Sequence, residues 1–459
     1  MFQNSNGAEI MNKAKSNKND KRILFISNFF PPIGGSHGIR MRYFLQYLSE
    51  DGWKIDALTM MSSPGFPYYD SSLVKWNLEG VRIIKTYAGP VCNFHWHTSK
   101  IFSRKLVHKP MDNAKNFKKK LLKLQSIISN IFTFVPLTIA EMTTEWYPIG
   151  IYHGLKLARE NRYDVIISSA PSYTNHLVAY TIKKITGLPL IIDYGDPWAF
   201  NPILNHMAVK FQVEYKLENM ILNASDFIVV TTEETKQDYL KHYPLLDKDK
   251  VIVIPMGANI NAYKDLQIQN TNITIKFNLI YTGNIYSTQN PIHFLDALKM
   301  FYKQVSNNIE VLFIGRVDEH VKFLIEKRNL QDIIKITGFI PADKIPQLQI
   351  EADVLLFFGA QNGLQVPGKL FEYLAAKKPI LFIKSDDKDA SLRFLSNLER
   401  GIIVDNRKDY IYNALTKFYD LYKRKLLNDE FDLKDIPGIS WKERVEILNH
   451  LCQLFLPKE

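Results

Sequence analysis

Short β-branched runs alternate with longer amphipathic stretches along almost the whole chain, and that alternation narrows the fold more than any other feature. Ile23–Ser27, Lys54–Thr59, Val81–Lys85, Asp164–Ser168, Pro189–Asp193, Asp226–Thr231 and Val251–Pro255 each read as a buried strand, with helical patterns such as Ile39–Asp51 between them. Strands apolar on both faces need helices on both faces, so the predicted sheet is parallel. The pattern restarts at Asn278–Thr282 and continues through Glu310–Ile314, Ile333–Thr337, Asp353–Phe358, Pro379–Ile383 and Gly401–Val404. At 459 residues the chain is also too long for one ordinary core. The fold expected is α/β, with two Rossmann-like doubly wound domains facing a central cleft lined by the carboxyl ends of strands from both halves.

Polarity sets the boundaries. Residues 1–20, polar and rich in Asn and Lys, read as a disordered tail. The N-terminal domain is expected at 21–258, a polar linker at 259–276 and the second domain at 277–435. A last helix in 436–459 is placed to cross back to the first domain. Residues 86–150 form an insertion without a clear βα pattern. Within it, Lys100–Lys123 holds nine basic residues against the single acid Asp112, and an apolar stretch ending near Ile139 follows. A basic stretch beside an apolar one too short to span a bilayer reads as an interfacial anchor to an anionic membrane face. A surface helix covering its own domain is the other reading of the same residues.

Composition excludes several classes. The only cysteines, Cys92 and Cys452, make no CxxC, so structural zinc is not expected and a reducing, cytoplasmic compartment fits best. No run reaches the ~18–20 apolar residues of a membrane span. The net charge of +11, from 58 basic and 47 acidic residues, asks for an anionic partner: nucleotide, nucleic acid or membrane face. Nucleic acid is not expected, because no basic stripe with a recognised binding module is evident.

Three segments carry chemistry. Pro31-Pro32-Ile33-Gly34-Gly35-Ser36-His37-Gly38 lies between the first strand and its helix, where a helix N-terminus offers unpaired N–H groups to an anion. It is neither a Walker loop nor a dinucleotide fingerprint. Ser169 and His176, then Asp193-Tyr194-Gly195-Asp196-Pro197-Trp198, follow the carboxyl ends of two strands. Carboxylates accept from sugar hydroxyls and an indole face covers a pyranose; the same pattern also suits a helix-capping Asp196 and a core Trp198. In Gly363-Leu364-Gln365-Val366-Pro367-Gly368-Lys369-Leu370-Phe371-Glu372-Tyr373, a loop leads into a helix with a lysine in its first turn. The macrodipole disfavours a cation there unless it meets a phosphate; an ordinary Lys369–Glu372 ion pair is the alternative.

These blocks, in this order over about Arg22–Val404, resemble the family 4 glycosyltransferases. The resemblance implies the GT-B fold and transfer, with retention, of a sugar from a nucleotide-sugar to a lipid-linked or polysaccharide acceptor, as in capsule, O-antigen or exopolysaccharide synthesis. It further implies a cytoplasmic enzyme, peripheral at the inner face of the membrane, with no cofactor and no metal. On the donor side it places Gly34 and Gly35 against the diphosphate, Lys369 as its counter-charge, Glu372 on the ribose, and Gly283, Asn284, Gln365 and Gly368 around them. Asp196, with Asp193 behind it, would orient the acceptor or the transferring sugar; Ser169, His176 and Trp198 would line the acceptor side.

Two departures stand out. The basic pair expected after the first strand of the second domain is replaced by Gly283-Asn284-Ile285-Tyr286 with Gln289, leaving Arg316 as the nearest cation. Eight positions before Glu372, where the family has a glutamate, stands Leu364, which leaves Asn362, Gln365 or backbone N–H groups for the sugar hydroxyls. Competing readings are an inactive GT-B module that binds a glycan or partner, and a GT-B sugar-nucleotide epimerase.

Overall fold

The computed structural model describes residues 20–62, 64, 66, 68–90, 92–93, 142–201, 208–266, 276–305, 308–360 and 363–457. β1 (Arg22–Ile26), β2 (Lys54–Met60), β3 (Val81–Thr86), β4 (Val165–Ala170), β5 (Leu190–Tyr194), β6 (Phe227–Val230) and β7 (Val251–Val253) form one sheet in the order β3-β2-β1-β4-β5-β6-β7. β8 (Phe277–Thr282), β9 (Ile309–Ile314), β10 (Ile334–Gly338), β11 (Val354–Phe358), β12 (Ile380–Lys384) and β13 (Gly401–Asp405) form a second, ordered β10-β9-β8-β11-β12-β13. Every pairing in both is parallel.

Each strand order reverses once, between β1 and β4 in the first sheet and between β8 and β11 in the second. Connections leave such a reversal on opposite faces and open a crevice outside the carboxyl ends of the two strands. The glycine loop follows β1, Gly283–Tyr286 follows β8, and the Lys369 segment follows β11. Three of the segments singled out by sequence therefore sit at the two switch points.

Three apolar clusters build the core. One covers the outer face of each sheet, and the third runs from Ile23, Phe25 and Phe44 in the first domain to Phe357, Leu370 and Phe371 in the second. Trp441 joins them. It opens the helix Trp441–Gln453, which a reciprocal Ser440/Glu443 capping box starts, and its ring stacks on Tyr43 at 5.2 Å. Further along that helix Asn449 accepts from Trp53 Nε1 at 2.7 Å and donates to Asp51 at 2.8 Å. The chain thus crosses between domains twice, side by side, and Ala258 N bonds Ile439 O where the crossings meet.

Two boundaries differ from the sequence reading. The first helix is Gly35–Glu50, starting inside the glycine loop rather than after it, because Gly35 adopts the first helical position with Gly34 as cap. The helix Tyr147–Glu160 begins within the expected insertion; it follows Trp146, which is fully buried and donates to Thr86 Oγ1 at 2.7 Å. The basic and apolar stretches of that insertion, the tail at 1–19 and linker residues 267–275 lie outside the described residues. Among the described residues no helix is long and apolar enough to cross a membrane.

Candidate functional site

Two helix N-termini, one from each domain, face each other across the cleft. Gly35 and Ser36 open the first helix exposed, and Gly34 gives it no side-chain cap. Opposite, Gly368 opens the helix Gly368–Ala375, and a Cβ there would lie 3.5 Å from Ser36 Oγ and 3.1 Å from Met256. Each end carries uncapped N–H groups and the positive pole of a dipole, so the space between them favours an anion.

Lys369, in the first turn of the second helix, points toward β8. Its Nζ hydrogen-bonds the Tyr281 hydroxyl and lies 4.0 Å above that ring and 5.4 Å from Phe357. A Cβ on Gly283 would stand 3.7 Å from the ammonium. The Tyr281 hydroxyl also accepts from Gln289 at 3.1 Å and donates to the Asn284 carbonyl at 2.9 Å, so it is fully used. Glu372 receives a bond from Gln349 at 3.4 Å; burial raises its carboxyl, against the pull of that bond and of Lys369. It is not within ion-pair distance of Lys369 among the pairs formed by described residues. Asn284 Oδ1 accepts from the backbone of Arg316 at 3.1 Å, bringing that exposed arginine beside the position left without a cation.

On the other wall a charged chain runs inward from the cleft. Arg40 and Asp193 both have 0% side-chain exposure and meet at 2.6 Å. Arg40 also donates to the Pro255 carbonyl at 3.1 Å, and Ser169 Oγ to Asp193 Oδ2 at 2.5 Å. Having spent its proton there, Ser169 accepts from His37 Nε2 at 3.1 Å, which fixes the Nε2–H tautomer. Burial holds the His37 imidazole down at about 4, against the attraction of Asp193. The imidazole presses on Gly195, where a Cβ would come within 2.6 Å of Nδ1, so only glycine fits that position. Next in the chain, Asp196 is half-buried with no hydrogen bond or ion pair to the described residues, and burial alone raises its carboxyl.

Several sequence-level assignments change. Asp193 does not reach the cleft: Arg40 and Ser169 occupy its oxygens, so it positions other groups rather than touching substrate. Ser169, fully buried, does the same. Trp198 is 0% exposed and stacks on Tyr173 at 5.0 Å; it is core, not a sugar platform. His176 is equally buried, bonded to Ser168 Oγ at 2.7 Å, packed 4.5 Å from Tyr194 and held near 3 by burial. Gln365 is engaged across the domain interface by Thr231 and by Thr235 at 3.3 Å, while Thr232 donates to the Leu364 carbonyl at 2.5 Å. Its side chain ties the domains together instead of facing a donor. Gly34, Gly35, Gly283, Asn284, Arg316, Gly368, Lys369, Glu372 and Asp196 remain around the cleft. Asn362 lies outside the described residues. Among those described, no group of His, Cys, Asp and Glu side chains is placed to hold a metal ion.

The residues missed from sequence are Arg40, Tyr281, Gln349 and Tyr68, while His37 and Tyr286 lie in segments already singled out but carry no role there. Arg40 had a signal: it lies on the apolar stripe of its helix, four residues before Phe44, and a charge there demands a partner.

Comparison with known proteins gives the following. The description "Glycosyltransferase Family 4" matches residues 131–262, and "Glycosyl transferases group 1" matches residues 264–426. The capsular polysaccharide biosynthesis glycosyltransferase CapH of Staphylococcus aureus is 31% identical over 119 residues, 24% of this chain and 32% of that one. The curated relatives matched are spanned over 32% to 58% of their lengths. A glycosyltransferase from Rickettsia africae ESF-5 superposes with a TM-score of 0.65 at 15% identity, covering 96% of this chain and all of that one. Anabaena Alr3699/HepE in complex with UDP and glucose gives 0.63 at 13% identity, over 95% and 100% of the two chains. At such identities the structural matches speak for the fold, which is GT-B.

Proposed function

The chain belongs to the family 4 glycosyltransferases, and on that premise we propose that it moves a sugar, with retention, from a nucleotide-sugar to a lipid-linked or polysaccharide acceptor in bacterial surface-glycan synthesis. The observation that carries this is the meeting of two helix N-termini and Lys369 at the switch points of both sheets. That arrangement suits a diphosphate between Gly34–Gly35 and Gly368, with Lys369 as counter-charge and Arg316 beside Asn284 in place of the cation that loop lacks. With protein cations and helix dipoles stabilising the leaving group, this reading needs no metal. Glu372 would take the ribose hydroxyls. Asp196, which has no hydrogen-bond or ion-pair partner among the described residues, would orient the acceptor or the transferring sugar. His37, held neutral near 4, is a poor proton acceptor. The family resemblance supplies the departing phosphate as the base that takes the acceptor proton on the same face, and that role is carried over here. Capsule synthesis by CapH and the UDP and glucose bound by HepE support the donor and pathway classes.

The test is a panel of UDP-, GDP- and ADP-sugars. At a hundredfold excess over its Kd a true donor stabilises by about 2.7 kcal/mol, several degrees in melting temperature, and is slowly hydrolysed. No shift and no hydrolysis with any of them would defeat the proposal. Asp196→Asn should keep the shift and melt no earlier, since it removes a desolvated charge, yet lose about tenfold or more in transfer, ~1.4 kcal/mol. Early melting with normal specific activity would make Asp196 structural.

The acceptor is proposed to be membrane-borne, with the basic stretch Lys100–Lys123 making the contact and the enzyme peripheral at the cytoplasmic face. Each such residue is worth about 1 kcal/mol near an anionic leaflet. The protein should co-sediment with anionic vesicles, less with neutral ones, and less again at high salt. Replacing Lys118, Lys119 and Lys120 by Glu should abolish that binding; indifference of the wild type to anionic vesicles would point to a soluble acceptor.

A further inference from the structure

Two large aromatic side chains stand exposed on opposite walls of the cleft; Tyr68 leans on Phe29, ring centroids 6.3 Å apart, and keeps more than half its surface open. Tyr68, from the loop after β2, is 57% exposed; Tyr286, from the loop after β8, is 44% exposed. Neither is loose. The Tyr68 carbonyl accepts from Gly34 N at 2.8 Å, and Asp70 N bonds the Pro32 carbonyl at 2.9 Å, so the segment is stitched to the glycine loop on both sides. Its φ of +63° lies in the left-handed region, which a tyrosine enters only against a steric penalty. The result of that conformation is a ring laid over the start of the first helix, where a Cβ on Gly35 would meet it at 3.2 Å. Gly35 itself, at φ +77°, leaves the room. Tyr286 is held by its hydroxyl, which accepts from Asn284 Nδ2 at 3.0 Å, and by its backbone N–H, which donates to Gln289 at 3.0 Å.

Contacts bring both rings and Asp196 to one stretch of the cleft: Tyr68 covers Gly35, Ser36 Oγ lies 3.5 Å from a Cβ placed on Gly368, and Gly283, three residues before Tyr286, adjoins Lys369. Gly195, just before Asp196, packs on His37, whose ring and the Tyr68 ring both meet Phe29, at 5.2 and 6.3 Å. The Tyr68 phenol is raised by burial first, then by the proximity of Tyr286 and of the Asp196 carboxyl. Aromatic faces cover the apolar faces of pyranose rings, while a carboxylate accepts from their hydroxyls. We propose that Tyr68 and Tyr286 are an aromatic clamp, one jaw per domain, that closes on the ring of the transferred sugar. Its position selects that ring: Tyr68 rests on Gly35, and Tyr286 hangs from the loop whose Gly283 adjoins Lys369. Both are neighbours of the diphosphate space, and of the two rings bonded to a nucleotide-sugar's diphosphate the ribose is assigned to Glu372, which leaves the transferred sugar for the clamp. The inference rests on the donor placement proposed above.

Calorimetric titration separates the two. UDP against UDP-glucose, GDP against GDP-mannose, and ADP against ADP-glucose, would be titrated into the wild type, Tyr68→Ala, Tyr286→Ala and the phenylalanine variants of both. For the nucleotide pair that binds, each alanine variant should lose about 3- to 10-fold in affinity for the nucleotide-sugar. Affinity for the bare diphosphate should move less than twofold, and the phenylalanine variants should follow the wild type, because the face and not the hydroxyl makes the contact. Equal losses for diphosphate and nucleotide-sugar, or no loss for either, would overturn the clamp while leaving the donor site standing. Failure of all six ligands to bind the wild type would overturn the donor reading itself, and the clamp with it.

Discussion

Lys369→Ala is expected to lower donor turnover about 10²- to 10³-fold, the effect of removing one preorganised group that meets developing negative charge. The fold should survive. What the ammonium contributes without ligand is a cation–π contact with Tyr281, worth about 0.5–1 kcal/mol, or roughly 1 °C or less in melting temperature for a chain of this size. No buried group is orphaned by its loss, because the Tyr281 hydroxyl keeps Gln289 and the Asn284 carbonyl. Lys369→Arg should retain part of the activity by keeping the charge while misplacing it. Single-turnover donor cleavage beside thermal melts reads both quantities. Turnover within about twofold of wild type, ~0.4 kcal/mol, would mean that Lys369 does not meet the diphosphate.

That lysine was legible in the sequence for a physical reason: a cation in the first turn of a helix is a local anomaly, visible without knowing the fold. The strands were legible for another. Parallel strands covered on both faces are written as continuous apolar runs, so the expected Pro189–Asp193 and Asp353–Phe358 fall within two residues of β5 and β11. What the sequence could not carry was adjacency. Trp198 after two acids suits a sugar platform and a core residue equally, and only the pairing of β4 with β5 brings Tyr173 beneath it. Gln365 was assigned to the donor from its own loop, whereas its partner Thr231 lies 134 residues earlier in the other domain. Leu364, conspicuous as the residue standing where a glutamate was expected, contributes its carbonyl to the same latch. Arg40 fell inside a helix read only for its apolar stripe, and its acid is 153 residues away.

Arg40 and Asp193 should show the largest effect on stability. Removing either partner is expected to cost about 3–5 kcal/mol, because it strands the other charge in a site with no access to water. Replacing both with apolar side chains of similar volume should cost less than the sum, the excess in the double-mutant cycle being the pair's coupling. The pH dependence gives the sharper test. In the wild type the Arg40 guanidinium holds the Asp193 carboxyl below its usual range against the opposing effect of burial. The unfolded chain binds that proton near pH 4, so the stabilisation is complete above about pH 4 and is lost only as pH falls through the lower native value. In Arg40→Met burial acts with only Ser169 and His37 to offset it, the native carboxyl rises above its unfolded value, and protonation then favours the folded state. The gap in unfolding free energy between wild type and Arg40→Met should therefore narrow as pH falls from 7 to 5. Denaturant melts across that range would show it. A gap that stays constant or widens would mean that the carboxyl finds another partner once Arg40 is gone. Because the same guanidinium also holds the Pro255 carbonyl, just ahead of the crossing at Ala258, part of the gap at pH 7 is the loss of that bond, and this part does not titrate between pH 7 and 5.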